Sequence, residues 1–223
     1  MEDDLVARRN LRSRYKPGLR AGPSTMRPSV ADAWNVRLSG LTSPIGRAPA
    51  FNDVGSNHSY RFSNSMSEDD LRHLHRAIAL ALQARACGRH PFGALVVLAD
   101  GEVLAEAINA TGWPDGEAIG HAELVALREA SRRNPRQRLA LATLYSSAEP
   151  CAMCAGAVYW SGISRVVYAL SEVRLLKLTG NHPENLTLAL PCRELFARGQ
   201  RRIEVIGPAL EDEAAAAHAS FWT

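Results

Sequence analysis

His121 and Glu123, two residues apart, and Cys151 and Cys154, three apart and directly after Pro150, are the residues of this chain whose types and spacing could do chemistry. An imidazole and two thiolates are zinc ligands. Structural zinc sites use four protein ligands, whereas catalytic sites use three and leave the fourth position for water, whose pKa falls to about 7. In Cys151-Ala-Met-Cys-Ala-Gly-Ala-Val-Tyr-Trp160 the two cysteines stand at what reads as the first turn of a helix. Residues three apart there share a face, so both sulfurs can reach one metal. The helix N-terminus lowers thiol pKa and favours the thiolates that zinc requires, and Pro150 suits the start of such a helix. His121 opens a second helical run, His-Ala-Glu-Leu-Val-Ala-Leu-Arg-Glu-Ala. Residues two apart on a helix do not face the same way, so Glu123 reads as a proton carrier beside the metal rather than a ligand.

A lone C-x-x-C also fits a structural zinc knuckle, a redox pair or two unrelated buried thiols. The upstream H-x-E is what turns it into a metal site with an open position. A closed, non-catalytic zinc module would need Cys87 or Cys192 as fourth ligand. Both are isolated in the sequence, where the default role is a small buried hydrophobe.

The elements that must position these groups can be read in outline. Ser67 is a plausible N-cap with acids behind it, and Leu71, Leu74, Ile78, Ala81 and Leu82 trace one face of a helix over 68–87. Residues 93–99 read as a buried strand, Asp100-Gly101 as a hairpin turn and 102–110 as the antiparallel partner. A loop over 111–120 leads to the His121 helix. Strands follow at 143–147, 165–169 and 203–206, and a closing helix at 212–222. After the opening hairpin, strands and helices alternate, which predicts a three-layer α/β/α sandwich with a mixed five-stranded sheet. The segment 180–187 is an irregular loop, either shaping a substrate pocket or serving as a plain surface connection.

The chain divides unevenly. Residues 1–65 carry ten Lys/Arg against five Asp/Glu, with 19 Gly, Pro and Ser and no sustained apolar period, which predicts a disordered N-terminal extension before a folded domain at 66–223. Met66 is the expected biological start. The domain holds 16 basic and 18 acidic side chains, so the basic excess belongs to the extension, and its scattered arginines argue against a nucleic-acid-binding arm. No apolar run approaches the roughly 18 residues of a membrane helix. With no signal core and two cysteines committed to metal, the expected location is the cytoplasm.

With these residues in view, 68–222 resembles the cytidine/deoxycytidylate deaminase superfamily, in the branch with bacterial guanine deaminases and tRNA adenosine deaminases. His90-Pro-Phe-Gly-Ala94 is similar to the family's lead into its first strand, Asn109 to the asparagine at the end of its second, and Glu149-Pro-Cys-Ala-Met-Cys-Ala-Gly-Ala-Val-Tyr-Trp160 to the guanine deaminase version of the metal helix. The resemblance implies hydrolytic deamination of an amino-substituted heterocycle. Zinc is held by His121, Cys151 and Cys154, and Glu123 moves protons to a ring nitrogen and to departing ammonia. Asn109 and the backbone N–H of Ala122 would orient the ring, with Phe92 and Trp160 as apolar walls. For both aromatics, core packing is the alternative.

A tRNA-acting enzyme needs a basic surface, and this domain carries net −2. A free nucleobase or nucleoside, guanine first, is therefore the expected substrate, with nucleic acid disfavoured and a tRNA adenosine deaminase as the alternative. Glu172 is a candidate substrate contact, with solvent exposure as its competing fate. The family also implies a homodimer, and Phe221-Trp222 would either cover a site or anchor the last helix.

Overall fold

The computed structural model describes residues 66–222, apart from 112–115 and 181. The expectations of a disordered extension over 1–65 and of a start at Met66 lie outside the described residues.

Ser67 opens helix α1 (Glu68–Ala86) through a reciprocal capping box: its hydroxyl accepts the Asp70 N–H, and the Asp70 carboxylate accepts the Ser67 N–H. Leu74, Ala77, Ile78 and Ala81 form its buried stripe. The hairpin follows as β1 (Gly93–Leu98) and β2 (Val103–Ile108), then α2 (Ala122–Arg133), α3 (Arg136–Leu139), β3 (Ala142–Ala148), α4 (Ala152–Ser161), β4 (Arg165–Leu170), α5 (Glu172–Thr179), α6 (Cys192–Ala197), β5 (Glu204–Ile206) and α7 (Glu211–Ala216). The sheet order is β2-β1-β3-β4-β5; β1 runs antiparallel to both neighbours, and β3, β4 and β5 are mutually parallel.

The sheet is buried on both faces, and β1 shows why its sequence is continuously apolar. Ala94 and Val96 point into a core with Ala126 of α2, Val158 of α4 and Phe196 of α6. Leu95 and Val97 point the other way, against Leu74 and Ile78 of α1 and Ala214 of α7. This is the expected three-layer sandwich. A Cβ on Gly93 would stand 2.4 Å from Leu80 Cβ and 2.5 Å from the Ala77 carbonyl oxygen, so glycine is what lets α1 lie directly on the start of β1. Among the described residues no helix is long and apolar enough to cross a membrane.

Two elements differ from the sequence reading. The short α3 was not expected, and the closing helix stops at Ala216 instead of running to Trp222. Ser220 takes a positive φ of 56°, which turns the chain and brings Trp222 back onto the sheet edge beside His90.

Asp70 ties the capped end of α1 to the sheet. It accepts from the Tyr145 hydroxyl at 2.8 Å and from two nitrogens of Arg165 at 2.7 and 2.9 Å, while Arg165 also meets Glu204 at 2.9 Å. Burial alone would raise the Asp70 carboxyl; the Arg165, Ser67 and Tyr145 hydrogen bonds overcome it and hold the group well below the usual carboxylate range. Removing one partner of a buried pair leaves the other uncompensated. Asp70→Ala is therefore expected to lower unfolding free energy by about 3 kcal/mol in urea titration; a loss below about 1 kcal/mol, as for an exposed pair, would contradict the assignment.

The topology gathers one edge. Ala94 near the start of β1 pairs with Ala107 near the end of β2 and with Ser146 near the end of β3, and β3 and β4 end together at Ala148 and Leu170. The segments that enter and leave that edge carry His90, Asn109 and Cys151, and α5 starts there with Glu172. Carboxyl ends of parallel strands are where open α/β sheets form their binding crevices.

Candidate active site

Two helix N-termini converge at this edge. His121 is the N-cap residue of α2 and Cys151 that of α4, so both helices direct their unpaired N–H groups toward the same point. His121 Nδ1 lies 3.7 Å from Cys151 Sγ and 3.6 Å from Cys154 Sγ, and the three donor atoms are all within 4.8 Å of one another. Among the described residues no fourth His, Cys, Asp or Glu joins this group. Cys87 is exposed at the end of α1, and Cys192 is buried at the start of α6 with its thiol pushed above the usual range by burial and by Glu149.

The donor set suits zinc electrostatically. The hydrogen bond between the thiols holds Cys151 down to about 4 and pushes Cys154 above the ordinary thiol range. Its contact with Cys151 raises the His121 imidazole. Two thiolates and an imidazole this close conflict unless a cation sits among them, and a divalent metal supplies that charge.

Glu123 is the second residue of α2, in its first turn, and is 5% exposed. Burial first, then the neighbouring Cys151, raises its carboxyl above the usual range, while the Ser146 hydroxyl donates to Oε1 at 3.2 Å. Its Oε2 is 3.7 Å from Cys154 Sγ. A carboxyl held beside the metal triad at raised pKa is equipped to take up a proton and give it back.

These groups open onto a cavity of about 320 Å³, within the range of small-molecule sites. Phe92 and Asn109 line it, together with His90, Thr111, Glu149, Glu172 and Glu184. Trp160 does not. Val158 turns one face of α4 into the core, and Trp160, two residues on, is carried round to solvent, where it is 75% exposed with its ring edge-on to Tyr159. Ala122 is wholly buried at the start of α2 and lies outside the cavity lining.

Glu172 is the residue whose position the sequence left open. It is the first residue of α5, half-buried against the cavity, and its carboxyl is pushed up to about 7 by burial, Cys151 and Glu149. Glu149 holds that wall in place: its carboxylate accepts the backbone N–H groups of Glu172 at 3.2 Å and Cys192 at 3.1 Å, joining the starts of α5 and α6. The glutamate of Glu149-Pro-Cys was legible only as part of a resemblance; a lone acid at a strand end gives no sign of two helix N-termini arriving from later in the chain.

The C-terminal residues fold onto the same rim. Trp222 lies 4.9 Å from the His90 ring and 6.3 Å from Phe92, and its indole N–H donates to His218 Nδ1 at 3.2 Å. His218 is 2% exposed, and burial, then Arg85, pushes it down to about 4. A histidine less basic folded than unfolded favours the native state fully above its unfolded pKa of about 6.5, and that contribution, about 3 kcal/mol, is lost as pH falls from there toward 4. His218→Phe is expected to flatten this part of the stability–pH curve relative to the parent protein in urea titrations from pH 7 to 4. Parallel curves would contradict it.

A family model described as the cytidine and deoxycytidylate deaminase zinc-binding region matches residues 67–170. A probable cytosine deaminase of Schizosaccharomyces pombe is 42% identical over 160 residues, covering 72% of this chain and 96% of that protein. A tRNA-specific adenosine deaminase of Bacillus subtilis is 40% identical over 103 residues, 46% of this chain, and the match spans only 62% of that protein. Among solved structures, guanine deaminase from Nitrosomonas europaea superposes with a TM-score of 0.56 at 26% identity, covering 70% of this chain and 85% of that one.

Proposed function

The chain belongs to the cytidine and deoxycytidylate deaminase family, and from that premise we propose that it releases ammonia from a free nucleobase or nucleoside, guanine before others. The observation that carries this reading is the charge of the cavity. Its lining holds four glutamates, Glu123, Glu149, Glu172 and Glu184, and among the described residues no lysine or arginine. Phosphates need cations and this lining offers no lysine or arginine, so the site suits an uncharged base better than nucleotides or tRNA. Guanine offers both acceptors and N–H donors along its edges, matching the Asn109 amide and the Glu172 carboxyl.

Zinc held by His121, Cys151 and Cys154 would lower the pKa of a water and so supply the nucleophile for the carbon that bears the amino group. The protein does the rest. Phe92 packs against the ring and Asn109 orients it. Glu123 accepts a proton as water adds to that carbon and passes it to the ring nitrogen, then takes the second proton from the added hydroxyl and delivers it to the amino nitrogen, so that the C–N bond breaks, a carbonyl forms and ammonia leaves. Its raised pKa suits both directions of transfer.

A second reading, free cytosine, is favoured by the relative in Schizosaccharomyces pombe, which the match covers almost end to end. We place either activity in the cytoplasm, where the thiolates stay reduced, and in a homodimer. Met153, at the cavity rim, and Trp160, seven residues on and in solvent, are both exposed on α4 and suit coverage by a second copy. Ammonia release from zinc-loaded protein, offered guanine, cytosine, adenine, their nucleosides, an aminotriazine and tRNA, tests the substrate. Guanine is expected to turn over fastest; turnover of tRNA alone would overturn the reading, and a monomer by light scattering would overturn the dimer.

A further inference from the structure

The orientation of the Asn109 side chain is fixed by a hydrogen-bonded chain that ends at the protein surface. Its Oδ1 meets the backbone N–H of Thr111 at 2.6 Å. A backbone N–H can only donate, so the atom facing it is the amide oxygen and not the amino group. The Thr111 hydroxyl donates to the same oxygen at 2.5 Å, which uses both of its lone pairs. With its proton committed to Asn109, Thr111 Oγ1 is left to accept, and His90 Nδ1 stands 3.2 Å from it. The opposite ring nitrogen of His90, Nε2, lies 2.9 Å from the Glu184 carboxylate. Trp222 packs against the same imidazole with ring centroids 4.9 Å apart.

Asn109 is 2% exposed and lines the cavity, so the group it leaves for a ligand is Nδ2. Rotating the amide would set its amino group against two donors. We propose that Thr111 and His90 are positioning residues that lock Asn109 as a hydrogen-bond donor, so that the site selects a heterocycle presenting an acceptor, a carbonyl oxygen or unprotonated ring nitrogen, at that edge. The proposal rests on the reading of the cavity as a base site and narrows it. It also joins the strand edge to the 180–191 segment through Glu184 and to the C-terminus through Trp222. Residues separated by 21 positions in the chain, Thr111 and His90, thereby act on the substrate through a third.

The test is a comparison of Thr111→Val with Thr111→Ser in the zinc-loaded full chain, with guanine and cytosine as probes. Valine keeps the shape and removes the hydroxyl; serine keeps the hydroxyl. The valine variant is expected to raise KM about tenfold with kcat within about twofold, at unchanged melting temperature and zinc content, and serine to restore the parent KM. A parent KM in both variants overturns the proposal while leaving the deaminase reading intact. Should the valine variant not fold, His90→Ala carries the same test, since it removes the ring that Thr111 Oγ1 meets; a rise in KM of about threefold supports the relay and an unchanged KM overturns it. If the parent protein turns over neither base, the substrate reading fails instead, and crystal structures decide the relay: a displaced or doubled Asn109 side chain in the valine variant alone supports it, and one shared orientation in both variants overturns it.

Discussion

Glu123→Gln is expected to keep its zinc, melt close to the parent protein, and release ammonia about 10²–10⁴-fold more slowly, the span that a positioned proton carrier contributes. The side chain is almost fully buried, and burial raises its carboxyl. A neutral amide of the same shape removes the cost of burying a charge, and its oxygen still accepts from Ser146. Stability should therefore hold or improve. What the amide cannot do is bind and return a proton. Because Glu123 lies outside the triad of donor atoms, metal content should not change. Elemental analysis and an ammonia assay on the same sample separate the two effects. Loss of zinc together with activity would make Glu123 a ligand; full activity would remove it from the reaction.

Cys154→Ala should fail in the opposite order, losing metal first and activity with it. Cys154 is wholly buried in α4, and its thiol is the harder of the pair to ionise, so the cation is what stabilises the second thiolate. Alanine leaves His121 and Cys151, too few to hold zinc against dilution. We expect less than about one tenth of a zinc per chain and turnover below detection. The melting temperature should fall as well, because a ligand that binds only the folded state stabilises it. Chelation of the parent protein should reproduce all three changes, and added zinc should reverse them there but not in the variant. A metal-free protein that melts at the parent temperature would mean that these residues hold nothing.

How much of this was legible in the sequence depended on whether a residue acts locally or through the fold. The metal triad was readable because its geometry is set by two helix starts: His121 and Cys151 are both N-cap residues, and Cys154 follows Cys151 by one turn. The five strands were readable because their apolar runs are bounded by turns, and the continuous burial of β1 signals a sheet covered twice. Trp160 was misplaced because neighbouring positions on a short apolar helix differ in fate only through what packs beside them. Glu172 could not be placed before the parallel pairing of β3 with β4 brought the start of α5 next to Cys151. The relay through Thr111 and His90 crosses from the end of β2 to the approach of β1, and a hairpin predicts that proximity without predicting which donor meets which acceptor. The closing helix ends before its sequence suggests: an alanine-rich, acid-capped segment has helical propensity throughout, but α7 stops at Ala216 and Trp222 packs on His90 and His218.

X-ray absorption at the zinc edge of the protein purified with its metal reads the His121, Cys151 and Cys154 centre itself. One zinc per chain is expected, surrounded by two sulfurs and one imidazole nitrogen, the remaining contact a light atom that exchanges with solvent or added ligand. A third sulfur from Cys87 or Cys192, a second imidazole, or a folded protein that holds no zinc at all would contradict it.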